Sequence, residues 1–137
     1  MILDKAALQY WHSRFNYMFF ENALEPAIIR LKPANDEATT YDPDAEFIGS
    51  TEPFLINFYI DVSMETAEYV LTVLLHEMVH QYCCENDIED MNDDEHTEEF
   101  REVAEMCGLT IRGYALSEWA RDAIRKQLKL FDIASEL

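Results

Sequence analysis

Cysteine is scarce in this chain, and its few cysteines are poorly placed for a disulfide framework or a zinc ribbon. Among 137 residues there are only three, Cys83, Cys84 and Cys107. An odd number with two neighbours is not the pattern of a disulfide-stapled domain. No pair has the CxxC spacing of a zinc ribbon. We therefore expect three free thiols, buried or half-buried.

Long apolar runs and export signals are also missing. The longest apolar candidate, residues 69–75, contains Thr72 and is far shorter than the roughly 20 residues that cross a bilayer. The first residues lack the basic region, apolar core and cleavage site of a secretory signal. These absences lead us to expect a cytoplasmic protein. The length of 137 residues fits a single domain, residues 1–137.

Basic residues are few as well. Ten lysines and arginines stand against 28 acidic residues, which gives a net charge of −18. Such a field repels phosphate backbones and argues against direct nucleic-acid binding. The simplest interpretation of this charge is solubility, and a basic partner or substrate is the alternative. A hydrophobic content of 49% still supports a packed core.

Hydrophobic periodicity predicts an α+β fold with four helices and a small sheet. The sheet is expected to be mostly antiparallel, with about three strands at 27–31, 45–48 and 54–60. The last two of these strands are expected to form a hairpin or meander. The N-terminal helix is expected at about 4–24 and the central HExxH helix at about 61–84. A helix opened by His96 or Thr97 follows to about 107, and a C-terminal helix is expected at about 117–133. Their expected end signals are Asp4, Ser63, Gly108 and Ser117.

The central helix carries the segment His76-Glu77-Met78-Val79-His80. Because His76 and His80 are four residues apart, their side chains project from one helical face and can converge on one metal ion. Glu77 lies at the edge of that face, where it can reach water on the metal without being a ligand. Burying these groups without partners in the most apolar helix would cost several kcal/mol, so a metal site is favoured over incidental histidines.

The third ligand separates the classes of zinc peptidase. A metzincin requires glycine and histidine at the positions of Cys83 and Asn86, so that class is excluded. His96 is the favoured third ligand, because it opens the next helix after a linker long enough to fold back. A carboxylate from that helix stays open as the alternative: Glu98, Glu99 or Glu102. The remaining histidine, His12, is interpreted as a packed or surface residue.

Two segments together resemble the SprT-like (Spartan-type) metallopeptidase domain, in which HExxH lies on one helix and a third zinc histidine opens the next within HxxxF[KR]. These segments are LLHEMVHQ (74–81) and HTEEFR (96–101). The preceding helix and strands are also similar, so the resemblance covers about residues 8–110. It implies zinc bound by three histidines, with a glutamate as catalytic acid and base: His76, His80, His96 and Glu77.

Better-known members of that family cleave proteins crosslinked to DNA, and many carry a zinc ribbon or another DNA-binding segment. This chain is acidic, has no CxxC pair, and has Thr97 where the family often has glycine. The resemblance therefore implies a minimal peptidase core without implying DNA-dependent activity. We expect a zinc-dependent endopeptidase that uses a metal-activated water, with Glu77 as general base and acid, and with DNA-associated or basic proteins as candidate substrates.

Three secondary expectations accompany this function. An extended substrate is expected along the edge of strand 54–60, and Tyr82 or Tyr114 is a candidate to assist the oxyanion. Acidic residues of the segment 85–95 are expected to surround the entrance of the site. The alternative function is a catalytically silent, zinc-stabilised acidic module that binds a basic partner or mimics nucleic acid; the presence of Glu77 argues against it.

Overall fold

The computed structural model describes residues 3–31, 47–48, 54–58, 66–93, 95–110 and 115–136. The α+β class expected from the sequence is confirmed. Among the described residues no helix combines the length and the hydropathy needed to cross a bilayer. The elements in chain order are α1 (Lys5–Phe20), β1 (Ala27–Leu31), β2 (Phe47–Ile48), β3 (Phe54–Phe58), α2 (Ala67–Glu85), β4 (Met91–Asn92), β5 (Glu95–His96), α3 (Glu98–Met106), β6 (Leu109–Thr110), β7 (Ala115–Leu116) and α4 (Glu118–Glu136).

The main sheet has three strands in the order β1-β3-β2 and mixes two kinds of pairing. The strands β2 and β3 are antiparallel, which confirms the expected hairpin. The strands β1 and β3 are parallel over all five residues of each, unlike the mostly antiparallel sheet expected. A parallel neighbour requires a long connection, and the segment between β1 and β3 is long enough to provide one. Two further pairs, β4–β5 and β6–β7, are antiparallel.

The central position of β3 narrows the expectation that a substrate lies along its edge. On one side β3 pairs with β1 along its whole length, and on the other side Leu55 and Ile56 pair with β2. One side of β3 is therefore fully paired, and on the other side the pairing with β2 covers two of its five residues. The predicted substrate position along the strand stays a prediction for the remainder. The rest of the segment predicted as a strand, residues 59–60, lies outside the described residues.

Helix α1 begins where the sequence predicts and ends one turn early. Asp4 caps it by accepting a hydrogen bond from a backbone N–H of the first turn. The helix ends at Phe20, rather than near Leu24, because Glu21 and Asn22 take positive φ angles of 53° and 62°. This left-handed backbone cannot continue a right-handed helix, and it turns the chain back towards β1.

Helix α2 forms the centre of the molecule. Every residue of the segment 73–81 is buried, which agrees with the prediction that the most apolar helix lies at the centre. The helix packs against α1, β3 and α3. Its cap is Thr66, whose Oγ1 accepts a hydrogen bond from the backbone N–H of Tyr69 at 3.2 Å, and not the predicted Ser63.

The last two helices meet at Gly108. This residue follows α3 with a φ of 85°, and a Cβ added to it would lie 2.5 Å from the Cβ of Ala120 in α4. Only glycine combines the left-handed backbone with this close approach. As predicted, Ser117 precedes α4 and its Oγ accepts the backbone N–H of Ala120 at 3.4 Å.

A buried hydrogen-bond network joins α1 to α2. The Nε2 atom of His12, which is 3% exposed, lies 2.8 Å from Oε1 of the fully buried Gln81. The amide nitrogen of Gln81 donates to the carbonyl of Glu25 at 2.7 Å and to the carboxylate of Glu85 at 2.6 Å. Because both amide hydrogens of Gln81 are used, its Oε1 is the acceptor and Nε2 of His12 is the donor. This confirms His12 as a packed residue.

We predict that His12 makes the folded protein less stable in acid. Burial lowers the pKa of His12 below its usual value of about 6.5. Below that pH the unfolded chain binds a proton that the folded chain does not, so the free energy of unfolding falls as the pH decreases from about 7 to about 5. His12→Gln can keep the donor to Gln81 without titrating, and its stability relative to the wild type should rise over this range.

Denaturant unfolding of the wild type and of His12→Gln at each pH measures the difference in their free energies of unfolding. The other histidines are present in both proteins, so their titration cancels in this difference. An equal difference in stability at both ends of the pH range would contradict the prediction. His12→Leu is the structural control, since it leaves the oxygen of Gln81 without its donor and should cost about 1–3 kcal/mol at pH 7.

Candidate metal centre

Three histidines converge beside the central helix. His76 and His80 belong to α2 and are buried, and the half-buried His96 ends β5. Each offers a ring nitrogen, and these three nitrogens lie within 4.8 Å of one another. They lie close enough to hold a metal ion. The structure thus brings together the three residues that the sequence predicts as ligands, and their role as ligands stays a prediction.

Local structure explains why these three rings meet. Four residues of helix turn by about 400°, so the rings of His76 and His80 lie on one face, with their centroids 5.1 Å apart. His96 is delivered by the hairpin of β4 and β5, in which it pairs with Met91. Its Nε2 lies 3.2 Å from Nε2 of His80.

The electrostatic environment of His96 favours the neutral ring. Burial and the neighbouring His80 lower the pKa of His96 to about 4, although the charge of Asp90 opposes this shift. At neutral pH the ring is therefore uncharged. A neutral imidazole is the form that has a lone pair for a metal ion.

Phe100 packs against all three imidazoles. Its ring centroid lies 5.3 Å from that of His76, 4.4 Å from that of His80 and 4.2 Å from that of His96, and it is stacked on the last at an interplanar angle of 15°. The side chain is fully buried. Sequence analysis identified Phe100 only as part of the segment HTEEFR; in the structure it excludes water from the ring faces that it covers.

Glu77 is the least satisfied polar side chain of the site. It is 1% exposed, and among the described residues neither of its carboxylate oxygens has a hydrogen-bond partner. Burial raises the pKa of Glu77 well above its usual value, and the negative charge of Asp90 adds to this effect. A buried carboxylate without partners is costly, and such groups are concentrated at functional sites. Its catalytic role stays a prediction.

Asp90 belongs to the site, although sequence reasoning grouped it with the acidic rim. Its Oδ2 lies 2.8 Å from Nδ1 of His80. Burial raises the pKa of Asp90, but the hydrogen bond and charge of His80, together with the charge of His96, outweigh burial and lower it. No spacing rule singles out Asp90 among the acidic residues of the linker, so only the folded structure reveals it.

The alternative ligands do not join the cluster. The glutamates left open by the sequence are exposed on α3: Glu98, Glu99 and Glu102. All three cysteines are free, with Cys83 and Cys107 buried and Cys84 exposed, so the expectation of buried or half-buried thiols is wrong for Cys84. Burial raises the pKa of Cys83 and of Cys107 to about 12. Neither thiol belongs to the group of ligand atoms found among the described residues, which consists of the three histidines.

Two of the other expected contributors, Tyr82 and Glu85, make their contacts elsewhere. The ring of Tyr82 packs against Phe20 of α1 at 5.9 Å, and six residues of helix turn it about 240° away from His76. Tyr114 lies outside the described residues. Glu85 belongs to the hydrogen-bond network of Gln81. Among the described residues between α2 and α3, the exposed acidic ones are Asp87, Glu89, Asp93 and Glu95.

No protein-family model, curated protein or solved structure matches this chain. The similarity to SprT-like peptidases rests on the two histidine segments and their surroundings, and it stays a prediction. The functional argument therefore depends on the chemistry of the side chains that meet at the histidine cluster.

We predict that Phe100→Ala destabilises the metal-free protein by about 3–5 kcal/mol, because it leaves a cavity against the three imidazoles. Phe100→Leu, which fills part of that space, should cost clearly less. Denaturant unfolding in the presence of a chelator measures both values. Met106→Ala, at a residue of α3 that is 78% exposed, is the control and should change stability by less than about 0.5 kcal/mol. Equal losses for Phe100→Ala and Met106→Ala would refute the packing role.

Proposed function

We propose that this protein is a zinc-dependent endopeptidase in which His76, His80 and His96 hold the ion and Glu77 is the general base and acid. The observation that carries this proposal is the convergence of three histidine rings next to a buried carboxylate that has no hydrogen-bond partner among the described residues. Glu77 directly follows His76 and lies one helical turn before His80, so its carboxylate belongs to the same part of α2. The resemblance to SprT-like peptidases points to the same chemistry.

Zinc is the metal that this donor set favours. Catalytic zinc sites use three protein ligands and keep a fourth position open, whereas structural sites are closed by four. The cluster found among the described residues has three members, all of them histidines. Two nitrogens that bind one tetrahedral zinc ion at about 2.0–2.1 Å lie about 3.3 Å apart, and the Nε2 atoms of His80 and His96 are 3.2 Å apart.

The bound ion would polarise a peptide carbonyl and lower the pKa of water towards neutrality. Glu77 would accept the proton of the attacking water on a carboxylate oxygen and then give it to the departing amine. Neither oxygen of Glu77 is occupied by a donor from the described residues, so both are available for this transfer. Phe100 would keep water from the ring faces that it covers, which strengthens electrostatic interactions at the site.

Basic or DNA-associated proteins are the proposed substrates. The linker that delivers His96 is rich in exposed carboxylates, among them Glu89, Asp93 and Glu95, and the whole chain carries a charge of −18. This field attracts basic peptide segments and repels phosphates. The protein component of a DNA complex is therefore the part that this site would approach.

The same net charge of −18 favours one alternative, a catalytically silent acidic module that is stabilised by zinc and binds a basic partner or mimics nucleic acid. The buried carboxylate of Glu77 counts against this alternative, because a purely structural site has no use for a general base. Wild-type protein that binds zinc stoichiometrically and cleaves no unfolded basic protein would favour the silent module.

We predict that the purified protein binds one zinc ion per chain and that His96→Ala loses most of it, because two imidazoles bind zinc far more weakly than three. Metal analysis after exhaustive dialysis measures the content. Glu98→Gln changes an exposed residue two positions further along the chain and should keep the wild-type zinc content. Full zinc content in His96→Ala, or its loss in Glu98→Gln, would show that the assignment of the third ligand is wrong.

We also predict that Glu77→Gln keeps its zinc and loses cleavage of an unfolded lysine-rich protein by at least about 100-fold, the usual contribution of a general base. The amide has nearly the shape of the carboxylate and cannot take up the proton. Cleavage is followed with and without single-stranded DNA, and Glu98→Gln is again the control. Unchanged turnover in zinc-bound Glu77→Gln would refute the role of Glu77 as general base and acid.

A further inference from the structure

Both ring nitrogens of His80 face polar groups of the same linker. Its Nδ1 lies 2.8 Å from Oδ2 of Asp90, and its Nε2 lies 3.2 Å from Nε2 of His96. An ionised carboxylate only accepts hydrogen bonds, so the proton of the neutral His80 ring belongs on Nδ1. The lone pair is then on Nε2, the nitrogen that faces His96.

Thr97 holds the backbone next to Asp90 in place. Its N–H donates to the carbonyl of Asp90 at 2.9 Å, and its hydroxyl donates to the carbonyl of Glu89 at 2.6 Å. The same hydroxyl oxygen caps α3 by accepting the backbone N–H of Phe100 at 3.1 Å. Thr97 therefore connects the backbone just before β4 to the start of α3.

The hairpin between Asp90 and Thr97 explains how the linker reaches His80 from two sides. Met91 pairs with His96 in this hairpin, and the hydrogen bond between Asp90 and Thr97 extends it by one position. Asp90 and His96 therefore leave the hairpin at neighbouring places. The carboxylate of Asp90 meets one nitrogen of His80, and the ring of His96 meets the other.

We propose that Asp90 is a positioning residue of the metal centre, which holds His80 with its proton on Nδ1 and directs the lone pair of Nε2 to the ion, and that Thr97 fixes Asp90 for this task. In zinc proteins such outer partners set the orientation and proton position of ligand histidines, and their loss costs about 10–100-fold in metal affinity. The inference rests on the metal-binding part of the proposed function and is independent of peptide hydrolysis.

Zinc affinity, measured by competition with a chelating dye, tests this role. Asp90→Ala should weaken zinc binding by about 10–100-fold, and Asp90→Asn should weaken it less, because the amide oxygen can still accept from Nδ1. Asp93→Asn is the matched control. It removes the same charge from the same hairpin, at an exposed residue with a φ of 50° that asparagine tolerates, and should bind zinc like the wild type.

Nitrogen NMR of the metal-free protein tests the proton position directly. In the wild type, long-range proton–nitrogen couplings should show the proton of His80 on Nδ1, and in folded Asp90→Ala they should show a mixture of both forms. A merely structural role of Asp90 would not change this signal. Thr97→Ser keeps the hydroxyl and should bind zinc more tightly than Thr97→Val, which lacks it.

Two results would overturn the inference while leaving the proposed function intact. One is equal zinc affinity of Asp90→Ala and Asp93→Asn, and the other is a wild-type His80 that carries its proton on Nε2. A wild-type protein that binds no zinc would overturn both the inference and the proposed function. If Asp90→Ala does not fold, the wild-type NMR signal and the affinity of Asp90→Asn decide the question.

Discussion

Nine consecutive residues of α2, from Val73 to Gln81, are buried, and four of them are polar. A polar group in such a place must find a partner or it costs the protein stability. Residues of α1 and of the segments next to α2 provide such partners. The apolar residues between them form the core against α1, β3 and α3, so the helix cannot rotate to expose its polar groups without losing that packing.

The polar groups of α2 are satisfied in two different ways. Gln81 bonds to His12, Glu25 and Glu85 and uses both amide hydrogens and its oxygen. These bonds join α1 and the segment before β1 to the central helix. The other face meets a hairpin, whose ends carry Asp90 and His96. There the pairing stays incomplete, because the carboxylate of Glu77 has no hydrogen-bond partner among the described residues. The first arrangement suits a structural role, and the second suits chemistry with a ligand from outside.

The sequence predicted the parts of this structure that follow from local chemistry. The cap at Asp4, the all-round burial of the central helix and the convergence of His76 and His80 depend on residues within a few turns of one another. It missed features that depend on distant pairing. The parallel pairing of β1 with β3 and the central place of β3 are set by how the strands assemble. The early end of α1 comes from Glu21 and Asn22, which both have a positive φ. Asparagine often adopts this conformation, but the glutamate that comes first gives no such signal.

The sequence by itself therefore determined the helical face that bears two histidines and a glutamate, because a helix has a fixed number of residues per turn. It also favoured His96 as the residue that joins them, from its predicted place at the start of the next helix; in the structure His96 ends β5, and Thr97 caps that helix. Only the tertiary structure decided how His96 arrives, that Phe100 covers the three rings and that Asp90 takes the second nitrogen of His80. These contacts depend on the hairpin between α2 and α3, in which Thr97 donates a backbone hydrogen bond to Asp90 and Met91 lies opposite His96. No side-chain pattern encodes this backbone pairing.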